Sequence, residues 1–147
     1  MVHIAIQQAE IAARNAVNGT NEKVDGRATA VAVFTEPQIA AVGLSERELE
    51  GKKYLVGKYP FADHGKSIIL DQTAGFVKVI AEPGKGKILG AQIIGPEASE
   101  LIHELIALIH MYATVFDLAT MPHYHPTLAE ILTYPAEEII QKIVSCH

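Results

Sequence analysis

Two runs rich in Val and Ile, residues 75–81 (GFVKVIA) and 87–94 (KILGAQII), are separated by only five residues, Glu82-Pro83-Gly84-Lys85-Gly86. Parallel strands need a crossover of a dozen or more residues, so this pair can meet only as an antiparallel hairpin. A sheet of that kind has one face to bury, and the rest of the chain supplies the cover. Upstream, residues 29–35 (TAVAVFT) read as a strand broken by Glu36-Pro37. Residues 39–44 form a second apolar run and 54–61 a third. A further short strand is predicted at 67–70, before a polar bend at 71–73. Ser45 and Glu48 have the spacing of a capping box opening a helix of one or two turns.

Helical patterning lies at the two ends. Residues 2–17 repeat apolar side chains at turns of a helix that Asn18-Gly19 would stop. This helix starts without a Ser, Thr, Asp or Asn cap, as though it continued from a longer chain. Residues 97–112 carry a wide apolar stripe, with Leu101, Leu105 and Leu108 beside Ile102, Ile106 and Ile109. Residues 114–119 suggest a helical turn. A helix is predicted from 127, interrupted at Pro135, and a final one over 136–144. The expected fold class is α+β, an antiparallel sheet with helices packed on one face. The expected division is a terminal helix (1–19), a polar linker (20–28) and one folded domain (29–147).

Charge and cysteine content narrow the function classes. Seventeen acids against 12 bases give a net charge of −5, and no basic cluster exceeds Lys52-Lys53, so no nucleic-acid partner is expected. The single cysteine, Cys146, can form no internal disulfide, which favours a reducing compartment and a cytoplasmic location. No apolar run reaches 18 residues, and no basic head precedes an apolar stretch, so neither a membrane span nor a signal peptide is expected.

Seven histidines must be accounted for. His3, His64 and His147 fall in terminal or polar contexts and are expected to be solvated. His103 and His110 lie on the predicted long helix as packing or interface residues. The distinctive stretch is Met121-Pro122-His123-Tyr124-His125-Pro126-Thr127-Leu128-Ala129-Glu130, for which three readings compete. His125 can act as an acid/base, with Glu130 bonding one ring nitrogen, fixing the tautomer and raising the basicity of the other. His123, His125 and Glu130 can instead bind a divalent metal, because an H-x-H pair in extended chain sends both rings to one side. Or the whole stretch is packing. The cupin metal motif shares this histidine and glutamate spacing, but its flanking glycine positions hold Asp117 and Glu137.

His123-x-His125-Pro126-Thr127-x-x-Glu130 resembles the C-terminal signature of the pyridine nucleotide-disulfide oxidoreductases, and its double histidine is most similar to the dihydrolipoamide dehydrogenase branch. The resemblance runs along the chain. Val33-Phe34-Thr35-x-Pro37-x-Ile39-Ala40-x-Val42-Gly43-Leu44 is similar to the opening of that family's interface domain. Lys58-x-Pro60-Phe61, Gly75-Phe76-Val77-Lys78 and Ile88-Leu89-Gly90-Ala91 follow in the family's order. Residues 2–19, including Ala12-Ala13-Arg14-Asn15, resemble the last helix of the family's flavin domain.

The resemblance implies a dimerisation domain from an enzyme that uses FAD and NAD(P). His125 would take a proton from a dithiol substrate, and Glu130 would orient it. Tyr124 and His125 would face the flavin of the other subunit of a homodimer, and the His125-Pro126 bond would be cis. The predicted helix at 97–112 and the region after Pro126 would form the dimer surface. No redox cysteine pair and no G-x-G-x-x-G after a strand occur in the chain. The FAD and NAD domains would therefore be supplied by a parent chain, and the isolated chain is expected to bind no cofactor and to be inactive. A module that only mediates self-association stays open as an alternative.

Overall fold

The computed structural model describes residues 1–145; Cys146 and His147 lie outside the described residues. The five strands are β1 (Ala30–Val33), β2 (Gln38–Gly43), β3 (Leu55–Pro60), β4 (Phe76–Ala81) and β5 (Ile88–Gly95). They form one antiparallel sheet in the order β1-β2-β5-β4-β3. The hairpin expected from the five-residue loop is β4–β5, and it lies inside the sheet rather than at an edge. Its register pairs Val77 with Ile93 and Val79 with Ala91. Period-two alternation sends these four to one face together with Ala40 and Val42 of β2, and all six are buried.

Helices α3 (Ala98–His110) and α5 (Thr133–Ser145) cover that face. Their inward residues, Ile102, Leu105 and Ile109 from α3 with Ala136, Ile139 and Ile143 from α5, join the strand residues in one core. Glu97 precedes α3 in a left-handed conformation and supplies no side-chain cap. Gln38 of β2 fills the role, its Oε1 accepting from Ser99 N at 3.0 Å, so the start of α3 is tied to the sheet it covers. Helix α5 runs along edge strand β3. Lys58 N donates to Glu138 Oε2 at 2.8 Å, and Lys142 Nζ donates to the Val56 carbonyl at 2.6 Å. These bonds occupy backbone groups that an open edge would leave for another strand.

Close approach of α5 to β3 depends on Gly57. A methyl group there would lie 1.9 Å from the Pro135 carbonyl oxygen and 3.0 Å from Ile139 Cγ1. The remaining helices are α1 (Val2–Asn18), ended by Gly19 in the left-handed conformation, then α2 (Gly65–Ile69) and α4 (Val115–Thr120). None of the described helices is long and apolar enough to cross a membrane.

Several expectations need correction. The short strand predicted at 67–70 is instead the end of α2 and the turn after it: Ile68 N bonds His64 O and Leu70 N bonds Lys66 O. The Ile/Leu-rich composition of so short a segment does not separate strand from helix. The box at Ser45 and Glu48 forms, with Ser45 N donating to Glu48 Oε2 at 2.9 Å, but it opens a series of turns and no regular helix. Pro135 does not interrupt the C-terminal helix. It is the third residue of α5, in the first turn, where an N–H has no carbonyl partner within the α-helix itself. The segment before it, Ala129–Leu132, is a 3-10 helix.

Substituting Gly57→Ala forces α5 away from β3 or twists the strand. The expected loss is about 1–3 kcal/mol or more, read as a lower midpoint in urea denaturation. An unchanged midpoint would show that the Gly57–Pro135 approach does not seat the helix.

Candidate active site

Helix α4 begins with a reciprocal cap. Asp117 N donates to Thr114 Oγ1 at 3.2 Å, and Thr114 N donates to Asp117 Oδ2 at 2.7 Å. Buried Val115 and Leu118 hold the helix in the core. The chain leaves α4 at Met121, and Pro122 blocks further helix. Residues 121–128 then run as an irregular loop until the 3-10 helix begins, so both ends of the loop are anchored in packed elements. Both His125-Pro126 and Glu36-Pro37 are cis, the first as the resemblance implies.

His125 Nδ1 lies 2.9 Å from Glu130 Oε1. The second carboxylate oxygen, Oε2, accepts from the backbone N–H of Thr127 at 2.7 Å. Glu130 is thus fixed at both oxygens by groups of its own loop, with a side chain only 19% exposed, whereas the His125 ring is 83% exposed. The Thr127 N–H, first, and the His125 ring, second, favour the ionised form and hold the Glu130 carboxyl below its ordinary value. An ionised carboxylate accepts, so Nδ1 carries the proton, and in a neutral ring Nε2 is the nitrogen with the lone pair. Nε2 has no hydrogen-bond partner among the described residues. Tyr124, 85% exposed, projects from the same loop.

His123 does not join this pair. Its Nδ1 is 2.9 Å from the Met121 carbonyl and its Nε2 is 2.8 Å from Glu104 Oε1 on α3. Both nitrogens are occupied away from His125, so the metal reading built on His123, His125 and Glu130 does not hold. Among the described residues, no three His, Cys, Asp or Glu side chains are grouped to hold a metal ion.

His64, expected to be solvated, is 2% exposed. Its Nδ1 lies 2.9 Å from the buried Ser67 Oγ, and its ring stands edge-on to Tyr134, which stacks on Tyr59. Burial lowers the tendency of His64 to take a proton, against a smaller opposing pull from Glu130. Polar flanking residues suggested exposure, but Phe61, fully buried three residues earlier, draws the segment inward. The one local hint was the i, i+3 spacing of His64 and Ser67. Glu104 was also missed. It contacts His123 across 19 residues of sequence, and nothing near it marks that role. A cavity of about 530 Å3 between α1, β1 and α3 is lined mainly by apolar residues and includes neither His125 nor Glu130. The candidate pair lies outside that cavity, with an exposed imidazole on a largely covered carboxylate.

A profile described as "Pyridine nucleotide-disulphide oxidoreductase, dimerisation domain" matches residues 29–136. The chain belongs to that family. It is 41% identical over 146 residues to dihydrolipoyl dehydrogenase of Haloferax volcanii, covering 98% of this chain and 30% of the relative. The dihydrolipoyl dehydrogenase of Geobacillus stearothermophilus is 40% identical over 139 residues, covering 93% of this chain and 29% of the relative. Among solved structures, LpdA from Mycobacterium tuberculosis superimposes with a TM-score of 0.85 at 26% identity, over 95% of this chain and 31% of that one. The dimerisation-domain fold expected from the sequence is thus the fold found. The chain spans about 30% of the length of these relatives.

The pairing around Glu130 has a consequence for acid stability. A carboxyl held below its unfolded value contributes stability that is fully present above about pH 4.5, the ordinary value. That contribution is lost as pH falls through the lower folded value. Urea denaturation of wild type and Glu130→Gln between pH 3 and 6 is expected to give stability curves that separate as pH rises and converge in acid. A constant offset across that range would mean the carboxylate is not held in its ionised form by the fold.

Proposed function

We propose that this chain is the dimerisation domain of a homodimeric FAD- and NAD(P)-dependent disulfide oxidoreductase of the dihydrolipoamide dehydrogenase type, and that His125 and Glu130 serve the active site of the partner subunit. The observation carrying this reading is the His125–Glu130 pair itself, an oriented imidazole whose outer nitrogen points away from its own domain. The profile match to a dimerisation domain supports the expectation that a second subunit meets that nitrogen.

Dithiol chemistry explains why a base is needed. A thiol with pKa about 8.5 is mostly protonated near pH 7, and only the thiolate attacks a disulfide efficiently. His125 Nε2 accepts the thiol proton while Nδ1–H stays on the Glu130 carboxylate, which stabilises the imidazolium so formed. The thiolate attacks one sulfur of the redox disulfide in the partner's flavin domain. A mixed disulfide forms, and the second sulfur leaves as a thiolate. Attack by the substrate's second thiol releases the oxidised substrate and leaves the enzyme dithiol. FAD, when bound in the partner's flavin domain, would supply the two-electron acceptor for the enzyme dithiol, with NAD(P)+ as the final oxidant. Glu130, held by Thr127 N–H, keeps the ring oriented through these steps. Tyr124 and the exposed face of His125 suit a contact with a flavin on another subunit rather than a container for one. By the same reading the isolated chain is inactive, and α3 and the region after Pro126 contribute to the dimer surface.

In a flavoprotein carrying this chain as its C-terminal third, His125→Gln is expected to slow flavin reduction by the dithiol about 10²–10⁴-fold. Bound FAD should be retained, as read from its visible spectrum. Flavin reduction at the wild-type rate in that variant would remove His125 as the base.

A further inference from the structure

His123 and His125 stand two residues apart, and each is paired with a glutamate, yet their hydrogen bonds differ in kind. His125 meets one acceptor, Glu130 Oε1, and leaves Nε2 open. His123 meets two: the Met121 carbonyl at Nδ1 and Glu104 Oε1 at Nε2, at 2.9 and 2.8 Å. A neutral imidazole has one N–H and one bare nitrogen. It can satisfy one of these oxygens, and at the other it would set lone pair against lone pair. Both contacts become hydrogen bonds only when both nitrogens carry protons, the arrangement of an imidazolium beside a carboxylate. The pair is sheltered, with side chains 8% and 25% exposed.

The position of this pair gives it a role. Glu104 sits in the middle of α3, whose neighbours Ile102 and Leu105 are buried in the core. The Met121 bond closes the start of the loop on itself, and the Glu104 bond ties that closed turn to the helix. Only Tyr124 separates the anchored ring from His125. Backbone travel across that interval is limited to roughly 3.3–3.6 Å per residue. The base is thus held from both sides, by Glu130 behind it and by the anchored His123 ahead of it. An ion pair in a sheltered place is a weak source of net stability, because desolvation offsets much of the attraction. Holding a loop in register is the better-supported use of such a pair.

We propose that the His123–Glu104 ion pair fastens the loop carrying the base to α3, making Glu104 a positioning residue for His125. The proposal rests on the reading of His125 as the base, and the measurements separate the two. In the 147-residue chain near neutral pH, 15N NMR of the imidazoles should show both ring nitrogens of His123 protonated and one bare nitrogen on His125. Glu104→Gln, nearly isosteric but uncharged, should return His123 to the pattern with one bare nitrogen. A bare His123 nitrogen in the wild-type chain would overturn the fastener.

In a flavoprotein carrying the chain, Glu104→Ala should slow flavin reduction by the dithiol on the order of 10-fold, the size of effect typical of groups that orient a reactive ligand. Reduction of ferricyanide driven by the nicotinamide cofactor never uses the dithiol base, so its rate should be unchanged. Equal losses in both reactions would indicate a general structural defect and overturn the positioning role. If His125→Gln slows dithiol oxidation and Glu104→Ala does not, the fastener fails while the functional reading stands. If His125→Gln has no effect, the functional reading fails and takes the positioning role with it.

Discussion

Small residues on the covered face of the sheet set how closely the helices can pack, and the placement of the site follows from that spacing. Gly57 admits the Pro135 carbonyl, and Ala40 and Ala91 leave room above the middle strands. With α5 seated this close, the 3-10 turn that precedes it comes down onto the core through Ile131 and Leu132, both fully buried. Glu130 is the residue immediately before that buried pair. Its backbone position is therefore fixed by hydrophobic packing. Its carboxylate is then aimed by Thr127 N–H and His125. Packing places the glutamate, and hydrogen bonds orient the histidine.

The sheet has two edges, and the chain treats them differently. Along β3, Glu138 and Lys142 of α5 bond the outward backbone groups, so that edge is closed from within the domain. Along β1, Val31, Val33 and the adjoining Phe34 remain exposed. An antiparallel sheet can leave one face in water, but an edge of apolar residues is normally shielded. The relatives are about three times the length of this chain, and among the described residues no side chain bonds the outward backbone of β1 as Glu138 and Lys142 bond that of β3.

How much of this was legible in the sequence depended on the range of the interaction. The β4–β5 hairpin follows from a five-residue loop and two β-branched runs, and α1 and α3 from turn-length repeats, so local pattern was enough. The His125–Glu130 pair was also readable, because five residues across a Pro-Thr corner keep the partners near each other. What escaped was decided by contacts between segments distant in sequence. Burial of His64 depends on Tyr134, whose ring meets it edge-on from α5. The partner of His123 is on another helix, so the H-x-H spacing alone suggested two rings side by side. Pro135 reads as a break in the sequence because the pattern alone does not place it within the helix. In the first turn, the same residue costs no hydrogen bond.

The two histidine–glutamate pairs show how one short loop can hold similar residues in different chemical states. Glu130 leaves its histidine with a single donor bond and an open lone pair, so that ring can accept a proton. Glu104 and the Met121 carbonyl offer His123 only acceptors, so that ring has no lone pair to give while both bonds stand. Exchanging the two environments would leave the exposed ring without a basic nitrogen and the sheltered one without an anchor. Residue identity does not decide which histidine keeps an unpaired ring nitrogen. The number of acceptor oxygens around each ring does, and that number is set by where α3 and the 3-10 turn lie against the sheet.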